Sequence, residues 1–247
     1  MGEVAIKVDG VSKSFKLPNE NSNSLKSTIV NFWRHKKGYG TQHVLRNISF
    51  EVRKGEFFGI VGRNGSGKST LLKIISDIYK PDKGSVTING KLTPFIELGV
   101  GFNPELTGRE NVYLNGALLG FSNKEMDSMY DEIVGFAELE KFMEQKLKNY
   151  SSGMQVRLAF SVAIQSKSDI LVLDEVLAVG DEAFQRKCND YFLSAKQSGK
   201  TVILVTHNRD AVQQFCDRAV LISEGDLAAS GRVEKIVGQY HKLNRPH

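Results

Sequence analysis

Cysteine, long apolar runs and a leader segment are scarce or absent in this sequence, and each shortage excludes a class of protein. The 2 cysteines, Cys188 and Cys216, are too few and too far apart for a disulfide framework or a zinc site, which favours a reducing cytosol. Apolar runs such as residues 170–173 are far shorter than the roughly 20 residues that cross a bilayer. The first residues contain no charged region followed by an apolar run, so the sequence predicts no secretory signal.

The composition fits a single globular domain over residues 1–247. Hydrophobic residues make up 40% and charged residues 25% of the chain, which is enough for a core and argues against disorder. The net charge is +5, and residues 21–50 account for all of it with five basic and no acidic residues: Lys26, Arg34, Lys36, Lys37 and Arg46. A nucleic-acid binder spreads its basic surface more widely, so we expect no nucleic-acid partner and a basic insert at residues 17–42.

Strand-like and helix-like segments alternate along the chain, which predicts an α/β architecture. Short apolar runs predict strands at residues 6–8, 44–52, 57–61, 85–88, 170–173, 201–205 and 218–222. Apolar spacing predicts a helix over residues 69–77 and a helical subdomain over about residues 104–150, where Thr107 and Ser122 each begin a capping box. We expect residues 225–247 to form a C-terminal extension.

A glycine-rich stretch lies between an expected strand and an expected helix, and it fits the phosphate-binding loop pattern. Its glycines let several N–H groups point at one anion, and the following helix adds its positive end. Lys68 is expected to pair with the β- and γ-phosphates and Ser69 to bind Mg²⁺. A glycine-rich turn without a ligand is the alternative. The expected nucleotide contacts of the stretch are Gly62, Arg63, Asn64, Gly65, Ser66, Gly67, Lys68, Ser69 and Thr70.

An acidic pair, Asp174 and Glu175, follows the buried run at residues 170–173. The carboxyl end of a strand is where ligands lie in α/β sheets. We expect Asp174 to hold Mg²⁺ through its water shell and Glu175 to orient or deprotonate the water that attacks the γ-phosphate. An acidic pair that only begins a loop is the alternative.

Two more segments offer polar groups to an anion. Ser151, Ser152 and Gly153 lie where a helix is expected to begin, so their N–H groups and hydroxyls can form an anion site. An ordinary serine cap is the alternative. His207 follows an apolar strand and can hydrogen-bond a γ-phosphate oxygen, whereas a solvated loop histidine is the alternative.

The order of these elements along the chain resembles the ATPase subunit of ATP-binding-cassette (ABC) transporters, and the resemblance covers nearly the whole chain. It implies a P-loop NTPase core of the ABC ATPase type with an antiparallel β subdomain and a helical subdomain. It also implies that two copies sandwich two ATP molecules head to tail. Each ATP would contact the phosphate loop of one copy and Ser151 and Gly153 of the other. Phe15 would stack on adenine, with core packing as the alternative, and Asp181 would face the partner copy.

Several departures from the usual pattern narrow the family. The signature, usually Leu-Ser-Gly-Gly-Gln, runs from Tyr150 to Met154 with Ser-Ser-Gly between them. Residues 95–111 contain no glutamine to sense the γ-phosphate, and Glu97 is the candidate for that place, where it would approach Mg²⁺ through water. With the long insert after Phe15, these variants resemble ATPases that export lipid-linked polysaccharides. The sequences of residues 95–116 and 174–188 are most similar to the O-antigen type.

The resemblance implies a separate integral-membrane subunit, with this chain bound at the cytoplasmic face of the bacterial inner membrane. A lipid-linked glycan would be moved through that subunit, and the chain is too short for the C-terminal carbohydrate-binding domain of some members. We hypothesise that the basic insert with Trp33 lies near anionic headgroups or a phosphorylated carrier, a solvated loop being the alternative. A teichoic-acid or capsule exporter, or an importer, is the alternative function.

Other nucleotide-binding classes fit the sequence less well. Only 82 residues separate Lys68 from Ser151, which excludes the long coiled-coil insertion of chromosome-organising ATPases. The chain holds one cassette, whereas translation-associated ABC proteins hold two. The Asn-Lys-x-Asp motif of GTP-binding switches is not matched at residues 123–126, where Met126 stands in place of the aspartate.

Overall fold

A computed structural model describes residues 2–18, 39–95, 101–174 and 181–243. Most of the expected basic insert, together with Glu97 and Glu175, lies outside these residues. The described part of the chain forms nine strands and seven α-helices. The strands are β1 (Val4–Pro18), β2 (Tyr39–Arg53), β3 (Phe57–Val61), β4 (Lys83–Ile88), β5 (Leu92–Phe95), β6 (Ile170–Asp174), β7 (Thr201–Thr206), β8 (Arg218–Ser223) and β9 (Asp226–Arg232). The helices are α1 (Lys68–Ile75), α2 (Gly108–Leu118), α3 (Asn123–Ala137), α4 (Ser152–Ala163), α5 (Glu182–Gln197), α6 (Arg209–Phe215) and α7 (Val233–Leu243).

The strands form two sheets, and they confirm the expected α/β core with an antiparallel β subdomain. The central sheet has the order β5-β6-β7-β3-β8-β9, and all its strand pairs are parallel except β8 with β9. The smaller sheet has the order β2-β1-β4 and is antiparallel. Crossover helices cover the central sheet, as parallel pairing requires.

The central sheet is buried on both faces. Along β7, Val202 and Leu204 point into the core cluster formed with the helices α4 to α7, because successive side chains of a strand alternate between faces. Ile203 and Val205 point into the second cluster, which lies between the central sheet, α1 and the antiparallel sheet. The two buried faces therefore explain why β7 is apolar at every position from Val202 to Val205.

The helical subdomain has a third core of its own, which includes Val112 of α2 and Ile133 of α3. Both predicted capping boxes are present. The Thr107 and Ser122 hydroxyls accept the backbone N–H groups of Glu110 and Glu125, and the carboxylates of these glutamates accept the backbone N–H groups of the two cap residues. Each such cap stabilises a helix by about 1 kcal/mol. The subdomain extends past the expected limit at residue 150, because Leu158 and Val162 of α4 also pack into its core.

The structure differs from the sequence-based expectation at two boundaries. Residues 17–18 and 39–42 belong to the paired strands β1 and β2, down to the pair Pro18 and Tyr39, and not to the insert expected at 17–42. Residues 226–243 are not an appended extension. The strand β9 completes the central sheet, and α7 buries Val233, Ile236 and Tyr240 in the main core.

Candidate functional site

Three parallel strands end together at one edge of the central sheet, and each leads into a predicted site segment. Val61 of β3 is paired with Thr206 of β7, so the phosphate loop and His207 begin side by side. Asp174 of β6 is paired with Val205 of β7, so the acidic pair begins at the same edge. The register thus brings together three of the segments that the sequence singled out.

The phosphate loop needs glycine for two different reasons. Gly65 and Gly67 have φ angles of +78° and +105°, a region that other residues adopt only with strain. Gly62 instead lies against the neighbouring strand, since a Cβ there would be 2.3 Å from the Ile222 carbonyl oxygen. The loop can therefore turn tightly while its backbone stays pressed on the sheet.

Lys68 closes the loop from inside. Its Nζ donates to the carbonyl oxygens of Gly62, at 2.9 Å, and Arg63, at 3.1 Å, and the side chain is buried. Ser69 and Thr70 follow in the first turn of α1, with the Ser69 side chain exposed. The first N–H groups of a helix have no partner within that helix, so this end of α1 and the ammonium group together favour an anion.

The back of the loop is supported by a segment that sequence reasoning placed in the C-terminal extension. The Gly225 N–H donates to the Ser66 carbonyl oxygen at 3.1 Å, and the Gly225 carbonyl accepts the Arg46 N–H at 2.8 Å. Arg46 also binds Asp226, with Nη2 and Oδ2 separated by 2.6 Å, and lowers the pKa of that carboxyl. The Glu-Gly pair after β8 indicates a turn, but nothing in the sequence indicates its contact with the phosphate loop.

The serine–glycine element begins a helix, as predicted. Ser151 is the N-cap of α4, and its Oγ accepts the Met154 N–H at 3.2 Å, so the ordinary cap and the anion site are both compatible with the geometry. Ser151 and Ser152 are exposed, and a Cβ on Gly153 would meet only Ser151 Oγ, at 3.9 Å. Among the described residues, no hydrogen bond or ion pair joins this helix tip to residues 62–70.

Tyr150, the departure from the usual leucine, has a structural reason. Its side chain is buried, its Oη donates to the Phe142 carbonyl at 2.8 Å, and burial raises its pKa to about 12. The phenol fits because the neighbouring residue is Gly108, where a Cβ would be 2.1 Å from the Tyr150 Oη. Tyr150 therefore anchors the serine tip to the helical subdomain.

Asp181 is the N-cap of α5, and its Oδ1 accepts the Phe184 N–H at 2.9 Å. That hydrogen bond, with a smaller contribution from the nearby Arg157, lowers the pKa of the Asp181 carboxyl. Arg157 of α4 lies 3.8 Å from Asp181 and 3.7 Å from Glu138, so it bridges the helical subdomain and the core. Sequence analysis did not single out Arg157, although it lies on the same helix as Gly153 and one turn after it.

Phe15 and His207 lie at the surface of the fold. Phe15 is half-buried and belongs to none of the three core clusters, so the structure does not support the core-packing alternative. Its ring meets Tyr79 edge-on, with centroids 5.8 Å apart, and Lys13 Nζ lies 5.7 Å from its centroid. His207 is exposed just beyond the end of β7.

The described residues fit Mg²⁺ as a partner of bound phosphate and not as a free-standing metal site. No group of three or more His, Cys, Asp or Glu that could hold a metal occurs in the described ranges. The Ser69 hydroxyl is exposed at the phosphate loop, and β6 ends at the same sheet edge with Asp174. Mg²⁺ usually keeps several waters and takes one or two protein ligands plus phosphate oxygens, so this donor set is sufficient.

Within residues 2–18, 39–95, 101–174 and 181–243, no helix is both long enough and apolar enough to span a bilayer.

Comparison with known proteins identifies relatives of the whole fold. The family model described as ABC transporter matches residues 45–178. ABC transporter protein AbcA of Aeromonas salmonicida is 45% identical over 243 residues, which cover 98% of this chain and 78% of AbcA. The O-antigen export system ATP-binding protein RfbB of Klebsiella pneumoniae is 41% identical, with 96% of this chain and 98% of RfbB covered.

Two further matches bear on assembly and on cargo. The teichoic acids export ATP-binding protein TagH of Bacillus anthracis is 41% identical over 96% of this chain, but the chain spans only 42% of TagH. Among solved structures, a dimeric ATP-binding cassette in a post-hydrolysis state with ADP and Pi superposes with a TM-score of 0.73 at 25% identity. That match covers 92% of this chain and 98% of the cassette.

Proposed function

The chain belongs to the ABC transporter family, and we propose that it is the ATP-hydrolysing subunit of an exporter of a lipid-linked, O-antigen-like polysaccharide. The ATPase activity rests on one observation above all. Three strands end at one edge of the sheet: β3, which leads into the phosphate loop, β6, which ends in Asp174, and β7, which precedes His207. The proposal of the cargo rests on the match to RfbB, 98% of whose length this chain covers.

At the proposed site, the residues of this chain position ATP and compensate its charge. Residues 62–70 would surround the phosphates with N–H groups, and the Lys68 ammonium would exchange its carbonyl partners for the β- and γ-phosphates. Glu175 would orient or deprotonate the attacking water, and His207 would donate to a γ-phosphate oxygen. Ser69 and Asp174 would hold Mg²⁺, which compensates phosphate charge when bound.

The second half of each site would come from another copy of the chain. Ser151 and Ser152 are exposed at the α4 tip, and the 12-residue helix α4 begins there with its positive pole. The dimeric cassette that this fold matches supports pairing of two copies, and the family resemblance implies that they pair head to tail. In that pair Asp181 would face the partner, and Phe15 would stack on adenine.

The exporter would need a separate integral-membrane subunit, with this chain bound peripherally at the cytoplasmic face of the bacterial inner membrane. Loss of the γ-phosphate would release the two ATPase surfaces from each other, and the helical subdomain would carry that motion to the membrane subunit. Teichoic-acid export is the second candidate, because TagH is also 41% identical. The basic insert, most of which lies outside the described residues, keeps its hypothesised place near anionic headgroups.

Deletion of the encoding gene tests the cargo. We expect lipid-linked glycan to accumulate inside the cell, the wild-type chain to restore export, and the chain to co-purify with a membrane subunit. A Glu175→Gln variant should bind ATP but neither hydrolyse it nor restore export, and Lys68→Ala should lose nucleotide affinity. Normal glycan export in the deletion strain would overturn the cargo, and wild-type turnover by Glu175→Gln would overturn the site.

A further inference from the structure

Asp82, in the segment between α1 and β4, is bound to three consecutive residues of β1. Its Oδ2 accepts the Ser14 N–H at 2.7 Å, and its Oδ1 lies 2.9 Å from Lys13 Nζ. Its own N–H donates to the Ser12 carbonyl oxygen at 2.8 Å. These contacts fix the stretch of β1 that leads directly to Phe15.

The Lys13 ammonium strengthens this connection. Its side chain is only 17% exposed, and Nζ also donates to the Lys80 carbonyl oxygen at 2.7 Å. The hydrogen bond from Lys13, followed by that from the Ser14 N–H, lowers the pKa of the Asp82 carboxyl, so this group is charged at neutral pH. Hydrogen bonds between charged groups are stronger than neutral ones. The charged pair therefore holds β1 against the segment that follows α1.

The ring of Phe15 lies against Tyr79, which belongs to that same segment. The two centroids are 5.8 Å apart, and the ring planes are inclined at 66°. Lys13 Nζ lies 5.7 Å from the Phe15 centroid, and Lys73 Nζ lies 5.8 Å from the Tyr79 centroid. Aromatic pairs and cation–π contacts both favour defined ring orientations. Tyr79 and Lys13 therefore restrict the orientation of the half-buried Phe15 ring.

Tyr79 is in turn fixed to α1. Its N–H and that of Ile78 both donate to the Lys73 carbonyl oxygen, at 3.0 and 2.8 Å respectively. Because α1 begins at Lys68, the helix that follows the phosphate loop also holds the aromatic partner of Phe15.

The strand β2 makes a second connection between the phosphate loop and Phe15. Val44 lies against Gly67, where a Cβ would be 2.8 Å from the Val44 carbonyl oxygen. Two positions before Val44, Gln42 is the sheet partner of Phe15. The backbone of Phe15 is therefore placed relative to the phosphate loop from two sides.

We propose that Tyr79 and Asp82 are positioning residues for the base of the nucleotide, because they hold the Phe15 ring where it stacks on adenine. The inference rests on the proposed function, in which Phe15 contacts adenine and residues 62–70 contact the phosphates. One ATP molecule must make both contacts at once. A ring that is already oriented needs no ordering when the nucleotide binds, so more of the stacking energy contributes to affinity.

Affinities for ADP and for inorganic pyrophosphate, both measured by calorimetry with Mg²⁺, test the inference. Pyrophosphate has the two phosphates of ADP but no base, so its affinity reports on the phosphate loop alone. Phe15→Ala should weaken ADP binding about tenfold, as loss of one stacking contact with a base does. Tyr79→Ala should weaken it about fivefold, whereas Tyr79→Phe, which keeps the ring, should stay within about twofold of wild type. All three variants should bind pyrophosphate within about twofold of wild type.

Asp82→Asn tests the other positioning residue, with Asp77→Asn as its matched control. Asp82→Asn removes the charged contact with Lys13 but keeps an oxygen that can accept the Ser14 N–H. Asp77→Asn removes an exposed ion pair with Lys80 in the same segment, and asparagine tolerates the φ of +55° at that position. We expect Asp82→Asn to weaken ADP binding about threefold and Asp77→Asn to leave it unchanged.

Several results would overturn the inference. If Tyr79→Ala weakens pyrophosphate binding as much as ADP binding, Tyr79 supports the fold or the phosphate loop and not the base. An ADP affinity of Tyr79→Ala equal to that of wild type, or to that of Tyr79→Phe, would also refute it. Should Tyr79→Ala fail to fold, equal ADP affinities of Asp82→Asn and Asp77→Asn would do so.

Other results would reach further than the positioning residues. Unchanged ADP binding by Phe15→Ala would overturn the proposed stacking of Phe15 on adenine, and the inference with it. Failure of the wild-type chain to bind ADP or ATP would overturn the proposed function itself.

Discussion

The Tyr150 side chain packs directly against Gly108, so the loss of stability caused by substituting one of these residues should depend on the identity of the other. Gly108→Ala would place a Cβ 2.1 Å from the Tyr150 Oη and 3.0 Å from its Cζ, both far inside ordinary contact. The backbone of Gly108 does not have a positive φ, so alanine fits its conformation at the start of α2. The cost of the substitution therefore comes from the clash and not from backbone strain.

The size of the effect follows from that geometry. Overpacking a buried position destabilises by about 1–3 kcal/mol. Alanine gains up to about 1 kcal/mol over glycine in a helix, which offsets part of the clash. Tyr150→Leu, the usual residue of the family, loses the bond to the Phe142 carbonyl, at a cost of about 1 kcal/mol, but opens the space that the alanine needs. The Met143 Cα, at 3.3 Å, would still be tight.

A double-mutant cycle measures this coupling. Urea unfolding followed by circular dichroism is recorded for the wild type, Gly108→Ala, Tyr150→Leu and the double variant. We expect Gly108→Ala to destabilise the wild type by about 1–2 kcal/mol net and to cost the Tyr150→Leu protein at least about 1 kcal/mol less. Costs that add within about 0.5 kcal/mol would refute the contact, because additive effects belong to independent sites.

Two more substitutions test the loop and a helix cap. Gly62→Ala should weaken ATP binding, measured by calorimetry, at least about tenfold, because its Cβ would press on the Ile222 carbonyl. Gly65→Ala is the control and should lose less ATP affinity, because Gly65 has open space around it although its φ is positive. Equal losses of ATP affinity would contradict the close approach of Gly62 to Ile222. The Ser122 N–H and hydroxyl bonds hold the pKa of Glu125 at about 2. Its stabilising effect is present above pH 4.5 and is lost as the pH falls towards 2, so the gap in melting temperature between wild type and Glu125→Gln should narrow below pH 4.5. A gap that stays constant over that range would refute the capping contribution.

The parts of the fold that depend on local chemistry were predictable from the sequence. The phosphate loop, the two capping boxes and the buried strands of the central sheet each carry their signal in a few adjacent residues. The helix after the phosphate loop ends at Ile75, earlier than the expected residue 77, where Asp77 adopts a φ of +55°. Such an ending depends on the turn that follows and not on apolar spacing.

The parts that depend on distant contacts were not predictable. The strand β9, with small residues and an alternating exposed face, is a strand because β8 pairs with it. The contact of Gly225 with the loop, and the bridge from Arg157 to Glu138 and Asp181, join residues far apart in the chain. The sequence offers no reason for Tyr150 in place of the usual leucine, because the reason is its contact with Gly108, 42 positions away in the chain.

In the proposed dimer, ATP lies between two copies of the chain and contacts the phosphate loop of one copy and the α4 tip of the other. Gly153→Asp addresses it directly, because Gly153 has open space around it and an acidic side chain in the first turn of a helix favours folding. The same carboxylate would repel a phosphate at that tip. Gly153→Ala, which adds a methyl group without charge, is the control.

The decisive measurement is the mass of each Gly153 variant by light scattering, in a Glu175→Gln background with ATP and Mg²⁺. We expect the mass of the Glu175→Gln protein, alone and with Gly153→Ala, to double from 27.5 kDa on adding ATP. The Gly153→Asp protein should stay at 27.5 kDa yet bind ATP as tightly as the control does as a monomer. Full dimerisation of Gly153→Asp, or loss of its monomeric ATP binding, would contradict a site shared between copies.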